Sequence, residues 1–492
     1  MKRLDRKAVF GWSMYDWANS AFATTVMAGF FPIFFKQYWS AGADATVSTA
    51  RLGLANSLSG ILIAVVAPLL GAIADKSAAR KKFLLLFASL GIVMTASLFF
   101  VSAGQWQIAT LLFVCAAIGF AGGNIFYDAL ITVVSSKKRM DQISALGFAM
   151  GYLGGGILFA FNVWMTLRPE TFGFADKGAA VRFSFVTVAL WWAAFSLPLI
   201  LFVKEPPRDH EPTSPFMIRA GFEQLRATIR EIRHLKTIGL FLAAYWLYID
   251  GVDTVVRMAV DYGMSIGFDS NDLILALLIT QFVGFPSAIV FGQLGGKIGA
   301  KRAILLAIVV YLGLTVWGAF MRDRSEFFAM AVVIGLVQGG VQALSRSFYT
   351  RIIPADKSAE YFGFYNMLGK FAVVLGPVLM GGAPRPFPRI QRRDVIPHQH
   401  PFPFPALPRR GNPSPFRRRG KGAPGSGVPH GQSHIACISL HGGEEAEFIP
   451  APSEKGRAIF SNSPRRAGKA STASGCSTIH PPLLPLLKIS LY

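Results

Sequence analysis

Charged and amide-bearing side chains set inside long apolar stretches are the residues of this sequence with chemistry to do. YDWANSAF (15–22) carries Asp16, Asn19 and Ser20, three and four residues apart, so a helix puts them on one side. GGNIFYDALI (122–131) repeats the arrangement with Asn124, Tyr127 and Asp128. In YIDGVDT (248–254), Asp250 and Asp253 lie three apart, and Arg257 follows Asp253 by four. A carboxylate turned to lipid costs several kcal/mol, so these sides are expected to face a wet interior. Two carboxylates with one guanidinium leave one acid unpaired, and an unpaired buried acid can load a proton near neutral pH, as a proton-coupled carrier requires. Two structural alternatives stand beside that reading: an Asp253–Arg257 ion pair, and Asp250 capping a helix broken at Gly251. Gln338 and Gln342, with Gly339 and Gly340 beside them, form an uncharged polar stripe. Such a stripe suits either the hydrogen bonds of a small polar solute or the joining of helices. Gln281 and Asn366 are weaker instances. Arg346 and Lys370 are expected near the inner surface, with snorkelling an equal reading of Arg346.

The elements that must position these groups are membrane-length helices. The chain of 492 residues is 52% hydrophobic and 15% charged, outside the balance of a soluble protein. About 20 apolar residues cross a hydrocarbon core. Eleven runs qualify: 8–35, 52–74, 83–101, 106–134, 144–165, 181–203, 238–262, 273–294, 303–321, 327–345 and 362–382. The first is too long for a signal peptide, carries Asp16 and Asn19, and is followed by ten more, so it reads as a span. With the N-terminus inside, the basic segments 135–140, 204–237 and 346–358 fall in the cytoplasm, which satisfies the positive-inside rule. The expected class is an all-α polytopic membrane protein. Gly147, Gly151 and Gly155 recur every four residues and are read as helix packing.

An internal repeat organises the spans. GAIADKSAARKK (71–82) lies between the second and third runs, with Gly71, Asp75, Lys76, Arg80 and Lys81. GQLGGKIGAKR (292–302) sits 221 residues later, between the eighth and ninth, with Gly292, Gly296, Lys297, Lys301 and Arg302 at the same offsets. Both read as short basic turns. These residues resemble the signature loop of the major facilitator superfamily. YDWANSAF, YIDGVDT, QALSRS (342–347) and FGFYNMLGKFAVVLGP (362–377) further resemble its vacuole-effluxer-like branch, the autophagy-related permeases. The resemblance implies two pseudo-symmetric six-helix bundles and alternating access. It also implies a small polar solute, with amino acids favoured because vacuolar members are associated with their export. For Asp75 the functional reading is a conformational latch, pairing with basic residues or with a helix N-terminus of the opposite half. Gly296 replaces the aspartate in the second copy, so that latch is one-sided.

The expected organisation is a bundle over 1–203, a cytoplasmic linker over 204–237 with an amphipathic helix at 218–236, and a second bundle over 238–382. The linker helix is expected either to lie on the inner leaflet or to act as a solvated spacer. Residues 383–492 hold 18 of the 29 prolines, with 16 Lys and Arg against 5 Asp and Glu. That segment reads as disordered and frame-shifted, leaving the second bundle one span short. The net charge of +22 is therefore assigned to inner loops and this tail rather than to nucleic-acid binding. Three cysteines imply no disulfide framework, and no metal, cofactor or enzyme signature is present in the sequence. The expected function is proton-coupled secondary transport by a monomer in a bacterial inner membrane, or in the vacuolar membrane if eukaryotic. The alternatives are a receptor or sensor on the same scaffold, or an inactive truncated permease.

Overall fold

The computed structural model describes residues 5–77, 79–205, 217–265, 270–321 and 323–369. Helices α1 to α6 are Arg6–Trp39, Ala45–Lys76, Arg80–Ser97, Trp106–Val134, Met140–Leu167 and Lys177–Phe202. A linker helix α7 spans Met217–His234. Helices α8 to α11 are Lys236–Ser265, Ser270–Ile298, Ala300–Phe320 and Arg324–Ile352, and a last helix, α12, covers 358–369. No strand occurs among the described residues. Nine of these helices are long and apolar enough to cross a membrane, ten if the bent α7–α8 pair counts as one span. That is the architecture a bilayer demands, because a helix satisfies its own backbone groups where no water can.

The helices outrun the apolar runs that mark them. Gly71 to Lys76 was expected in a turn, yet α2 continues through Lys76 and the connection to α3 is only 77–79. A helix has no reason to end where its side chains turn polar; it ends where its last carbonyls find other donors. Ser77 N–H bonds the Ile73 carbonyl, and Glu205 accepts the N–H groups of Arg80 and Lys81 at 3.3 and 3.2 Å, capping α3. Lys81 Nζ reaches the Ile200 and Val203 carbonyls at 2.5 and 2.9 Å, closing the end of α6 against α3. Helix α8 runs unbroken through Gly251, so Asp250 does not cap a break there.

In the first half, α1 packs between α5 and α6, and α3 lies along α4; in the second, α9 lies along α11. The glycine stripe on α5 seats α1. A methyl added at Gly151 would stand 2.5 Å from Ser20 Oγ, and one at Gly155 2.8 Å from Thr24 Oγ1. The halves meet chiefly where α5 crosses α9 and α11. There the Tyr152 ring sits where a methyl on Gly284 or Gly339 would come within 2.8 or 2.6 Å of it. The eleventh expected run falls within the described residues only to 369, and 383–492 lies outside them.

Candidate functional site

Residues 5, 77, 135–139, 203–205, 217–235 and 353–357 belong to one end of the bundle, here termed the basic end. The site lies inside that end. Tyr127 O–H donates to Asp16 Oδ2 at 3.0 Å, and Asn19 Nδ2 donates to Asn124 Oδ1 at 2.6 Å. Facing α1 and α4 is Arg346, 2% exposed, from the second half. Its Nη1 lies 3.0 Å from Asp128 Oδ1 and 3.8 Å from Asp16 Oδ2. Its Nε and Nη2 donate to Ser144 Oγ at 2.9 Å and to the Ser144 carbonyl at 2.8 Å. Three aromatic faces, Trp12, Tyr127 and Phe148, surround the guanidinium at 4.9, 5.3 and 4.3 Å. Asn366 Nδ2 adds a 3.4 Å contact to Asp128 Oδ2 from α12.

Local sequence explains this cluster. Trp12 donates Nε1–H to the Tyr127 carbonyl at 2.9 Å and stacks on the Tyr127 ring at 4.5 Å, which fixes the register of α1 on α4. Gly147 leaves room for the guanidinium, since a methyl there would stand 3.0 Å from Arg346 Nη2 and 2.7 Å from Tyr127 Oη. The glycine stripe thus serves the site as well as the packing.

Of the residues expected to matter, Asp16, Asn19, Asn124, Tyr127 and Asp128 are brought together. Arg346 was expected at the inner surface and is instead the cation on which Asp16 and Asp128 converge. A basic residue six positions before a helix end reads as a snorkel from sequence, because its polar partners lie more than two hundred residues away. Asp250 and Asp253 are half-buried on α8, apart from the Arg346 cluster, and the Asp250 Oδ1 atom is buried with no hydrogen-bond partner. Asp253 falls within electrostatic reach of Tyr152, Tyr245 and Tyr311. The Arg257 side chain and Lys370 lie outside the described residues. Gln338 and Gln342 are half-buried on α11, eight and four residues before Arg346 and on its stripe.

A second layer closes the basic end below this cluster. Asp75, buried at the end of α2, accepts Arg80 Nε at 2.6 Å and the backbone N–H groups of Ala359 and Glu360 at 3.2 and 2.8 Å. A carboxylate of the first half thus receives the N-terminus of α12. Arg80 Nη2 bonds the carbonyls of Ala355 and Asp356 at 3.3 and 3.1 Å. Gly71 permits the approach: a methyl there would lie 2.6 Å from the Ala359 carbonyl carbon and 2.7 Å from Glu360 Cα, with the Ala359 oxygen nearer still. Lys76 sits in the same last turn of α2. The second copy keeps the geometry but moves the charge. A methyl at Gly292 would stand 3.3 Å from the Asp141 carbonyl, at the N-terminus of α5, while one at Gly296 would meet nothing within 4 Å. The acid comes from Asp141 itself, which accepts Ser347 Oγ at 2.6 Å and pairs with Arg351 at 2.7 Å. These bonds tie the two halves together at the basic end.

Outside the spans, burial pushes the Glu205 carboxyl above the ordinary glutamate range, against the lowering pull of the N–H groups and of Arg80. Among the described residues no group of three acidic, histidine or cysteine side chains could hold a metal.

Comparison with known proteins adds to this geometry. Residues 48–383 match the family described as vacuole effluxer Atg22 like. An uncharacterized MFS-type transporter, YxiO of Bacillus subtilis (strain 168), is 38% identical over 383 residues, covering 77% of this chain and 89% of its own. Autophagy-related protein 22 of Coccidioides immitis (strain RS) is 22% identical, covering 76% and 81%. Two solved structures share the fold. One is the proton:xylose symporter XylE bound to 6-bromo-6-deoxy-D-glucose, at TM-score 0.55 and 14% identity over 76% of this chain and 87% of that one. The other is the human organic anion transporter MFSD10, at 0.57 and 17% over 76% and 92%.

Proposed function

The chain belongs to the vacuole effluxer Atg22-like family of major facilitator transporters, a multi-pass membrane protein that moves a small solute, and from this we propose that it exchanges protons against that solute through the Asp16–Asp128–Arg346 cluster. One observation carries the reading: a buried cation of the second half is shared by two buried carboxylates of the first, at the surface where the halves must part. Two carboxylates against one guanidinium leave one negative charge in excess, and excess buried charge is expensive. One proton on the Asp16–Asp128 pair balances it. When the halves separate, Arg346 leaves, both acids meet water and the proton departs. Proton binding thereby favours closure at the basic end, and release accompanies opening. The sequence placed the same charge arithmetic on Asp250, Asp253 and Arg257; the Asp16–Asp128–Arg346 geometry supports it better, and Asp250 and Asp253 become lining for the solute path.

The basic end faces the cytoplasm in this reading, with the N-terminus inside, since Arg80, Lys81, Lys137, Lys138 and Arg139 collect there. The arrangement is then the state closed to the cytoplasm. Asp75, Gly71, Lys76, Arg80 and Lys81 form the latch of that state, and Asp141 with Arg351 forms its counterpart. Gln338, Gln342, Asn19 and Asn124 supply hydrogen bonds for a small polar solute, an amino acid or a related metabolite. The test is counterflow in proteoliposomes, with labelled amino acids and an imposed proton gradient of either sign. Gradient-driven accumulation that Asp128→Asn removes while exchange persists is expected; accumulation unchanged by Asp128→Asn and Asp16→Asn refutes the coupling.

A further inference from the structure

The linker helix α7 is built with two faces that do different things. Its inward face is polar: Thr228 is buried, Gln224 Nε2 donates to Glu360 Oε2 at 3.3 Å, and Glu231 pairs with Lys357 at 2.6 Å. It packs along α2 and so rests on both partners of the Asp75 latch. Its outward face is apolar and basic. Phe222 and Ile229, seven residues apart on one side, are 56% and 40% exposed, and Arg226 and Arg230 are exposed beside them, outnumbering the neighbouring exposed Glu223. The segments Phe222–Glu231 and Lys236–Asp253 meet at 96°. Since α8 runs along the spans, α7 runs along the membrane plane, at the level where the spans end.

A spacer in water has no use for an exposed Phe–Ile stripe, and a helix held parallel to the bilayer has one. The flanking arginines specify a negatively charged surface. We propose that the outer face of α7 docks on an anionic lipid surface, and that Gln224, Thr228 and Glu231 convey this docking to α12, so that anionic lipid holds the Asp75 latch closed. The membrane is thereby a ligand of the closed state. The inference needs no solute and no proton coupling, and symmetric bilayers make it independent of which leaflet the basic end faces.

The experiment uses the full chain with Cys115, Cys437 and Cys476 replaced and spin labels at Lys138→Cys and Ala355→Cys, both exposed and in opposite halves. Distance distributions are recorded in nanodiscs of phosphatidylcholine, with and without phosphatidylglycerol. Phosphatidylglycerol should raise the ratio of closed to open populations by about fivefold for each arginine that the closed state keeps at the charged surface. Arg226→Gln with Arg230→Gln should abolish that response without unfolding the protein, both side chains being exposed. A single label at Phe222→Cys should be more accessible to oxygen than to a nickel chelate. Equal distributions in the two lipids overturn the proposal. So does a lipid response undiminished by the arginine substitutions, which would trace it to other basic segments, or a label at 222 that the nickel chelate reaches freely.

Discussion

Gly71→Ala separates the latch from the stability of the helix that carries it. One methyl is added, 2.6 and 2.7 Å from backbone atoms of Ala359 and Glu360 that no rotamer change can move. Ordinary contact needs about 3.4 Å or more, so α12 must retreat by most of an ångström or the site stays overpacked, at about 1–3 kcal/mol. Retreat stretches the Asp75 bonds, now 3.2 and 2.8 Å, beyond hydrogen-bonding range, and each charge-assisted bond contributes a comparable amount. By either route the closed-to-open ratio falls roughly 5- to 150-fold. The same methyl raises helix propensity by about 1 kcal/mol in both states, which cancels in the gate equilibrium but not in the stability of the fold. Gly71→Ala should therefore open the gate without lowering the melting temperature. Gly296→Ala, with nothing within 4 Å, gains the propensity alone and is the control. The assay is the distance between labels at 138 and 355 with melting followed in parallel. A closed fraction equal to that of Gly296→Ala, or a lower melting temperature with the gate unmoved, refutes the reasoning.

Asp75→Asn should keep the shape but lose the charge opposite the α12 N-terminus, slowing turnover severalfold with the solute dissociation constant unchanged; a weakened constant at full turnover would assign Asp75 to binding instead. Arg346→Gln leaves Asp16 and Asp128 buried without their cation, costing the closed state about 3–5 kcal/mol. Adding Asp128→Asn should restore much of it, which closed fractions of the single and double variants report. Burial pushes the Glu360 carboxyl, ahead of the eleventh apolar run, up to about 7, with Thr228, Gln224 and Lys357 drawing it down and Asp75 raising it. In the open state an exposed glutamate titrates near its ordinary value of about 4.3. The closed state therefore binds this proton more tightly, so its advantage is fully present below about 4.3 and is lost as pH rises through about 7. Glu360→Gln should flatten the dependence of the closed fraction on pH across neutrality; an unaltered profile would remove Glu360 from the gate.

Apolar runs of about 20 residues announced the helices because a single segment crossing lipid must bond its own backbone and present apolar side chains, and the three- and four-residue spacings in YDWANSAF and NIFYD placed Asp16, Asn19, Asn124, Tyr127 and Asp128 on faces that do meet. The approach of Asp75 to a helix N-terminus of the other half was also legible, since a lone acid in a basic segment has few other uses. Arg346 was not. Its burial depends on Gly147, Trp12 and Phe148, each unremarkable in its own segment, and long-range convergence leaves no local trace. Asp141 was missed for the same reason, hidden at a helix start where an acid is commonplace. Helix α7 showed its amphipathic pattern, but pattern alone does not say which face meets protein.

Among the described residues, the side-chain ion pairs between the two halves run in one direction. Asp16, Asp128 and Asp141 of the first half meet Arg346 and Arg351 of the second, and Asp75 meets the α12 N-terminus, whereas Arg80 crosses the other way only to backbone carbonyls. The two halves share a repeat, yet two copies of the first would set carboxylate against carboxylate, and two of the second guanidinium against guanidinium. In its ion pairs the interface is therefore that of a heterodimer fused into one chain: each half is complementary to the other. Halves expressed as separate polypeptides should therefore favour the mixed pairing over either self-pairing.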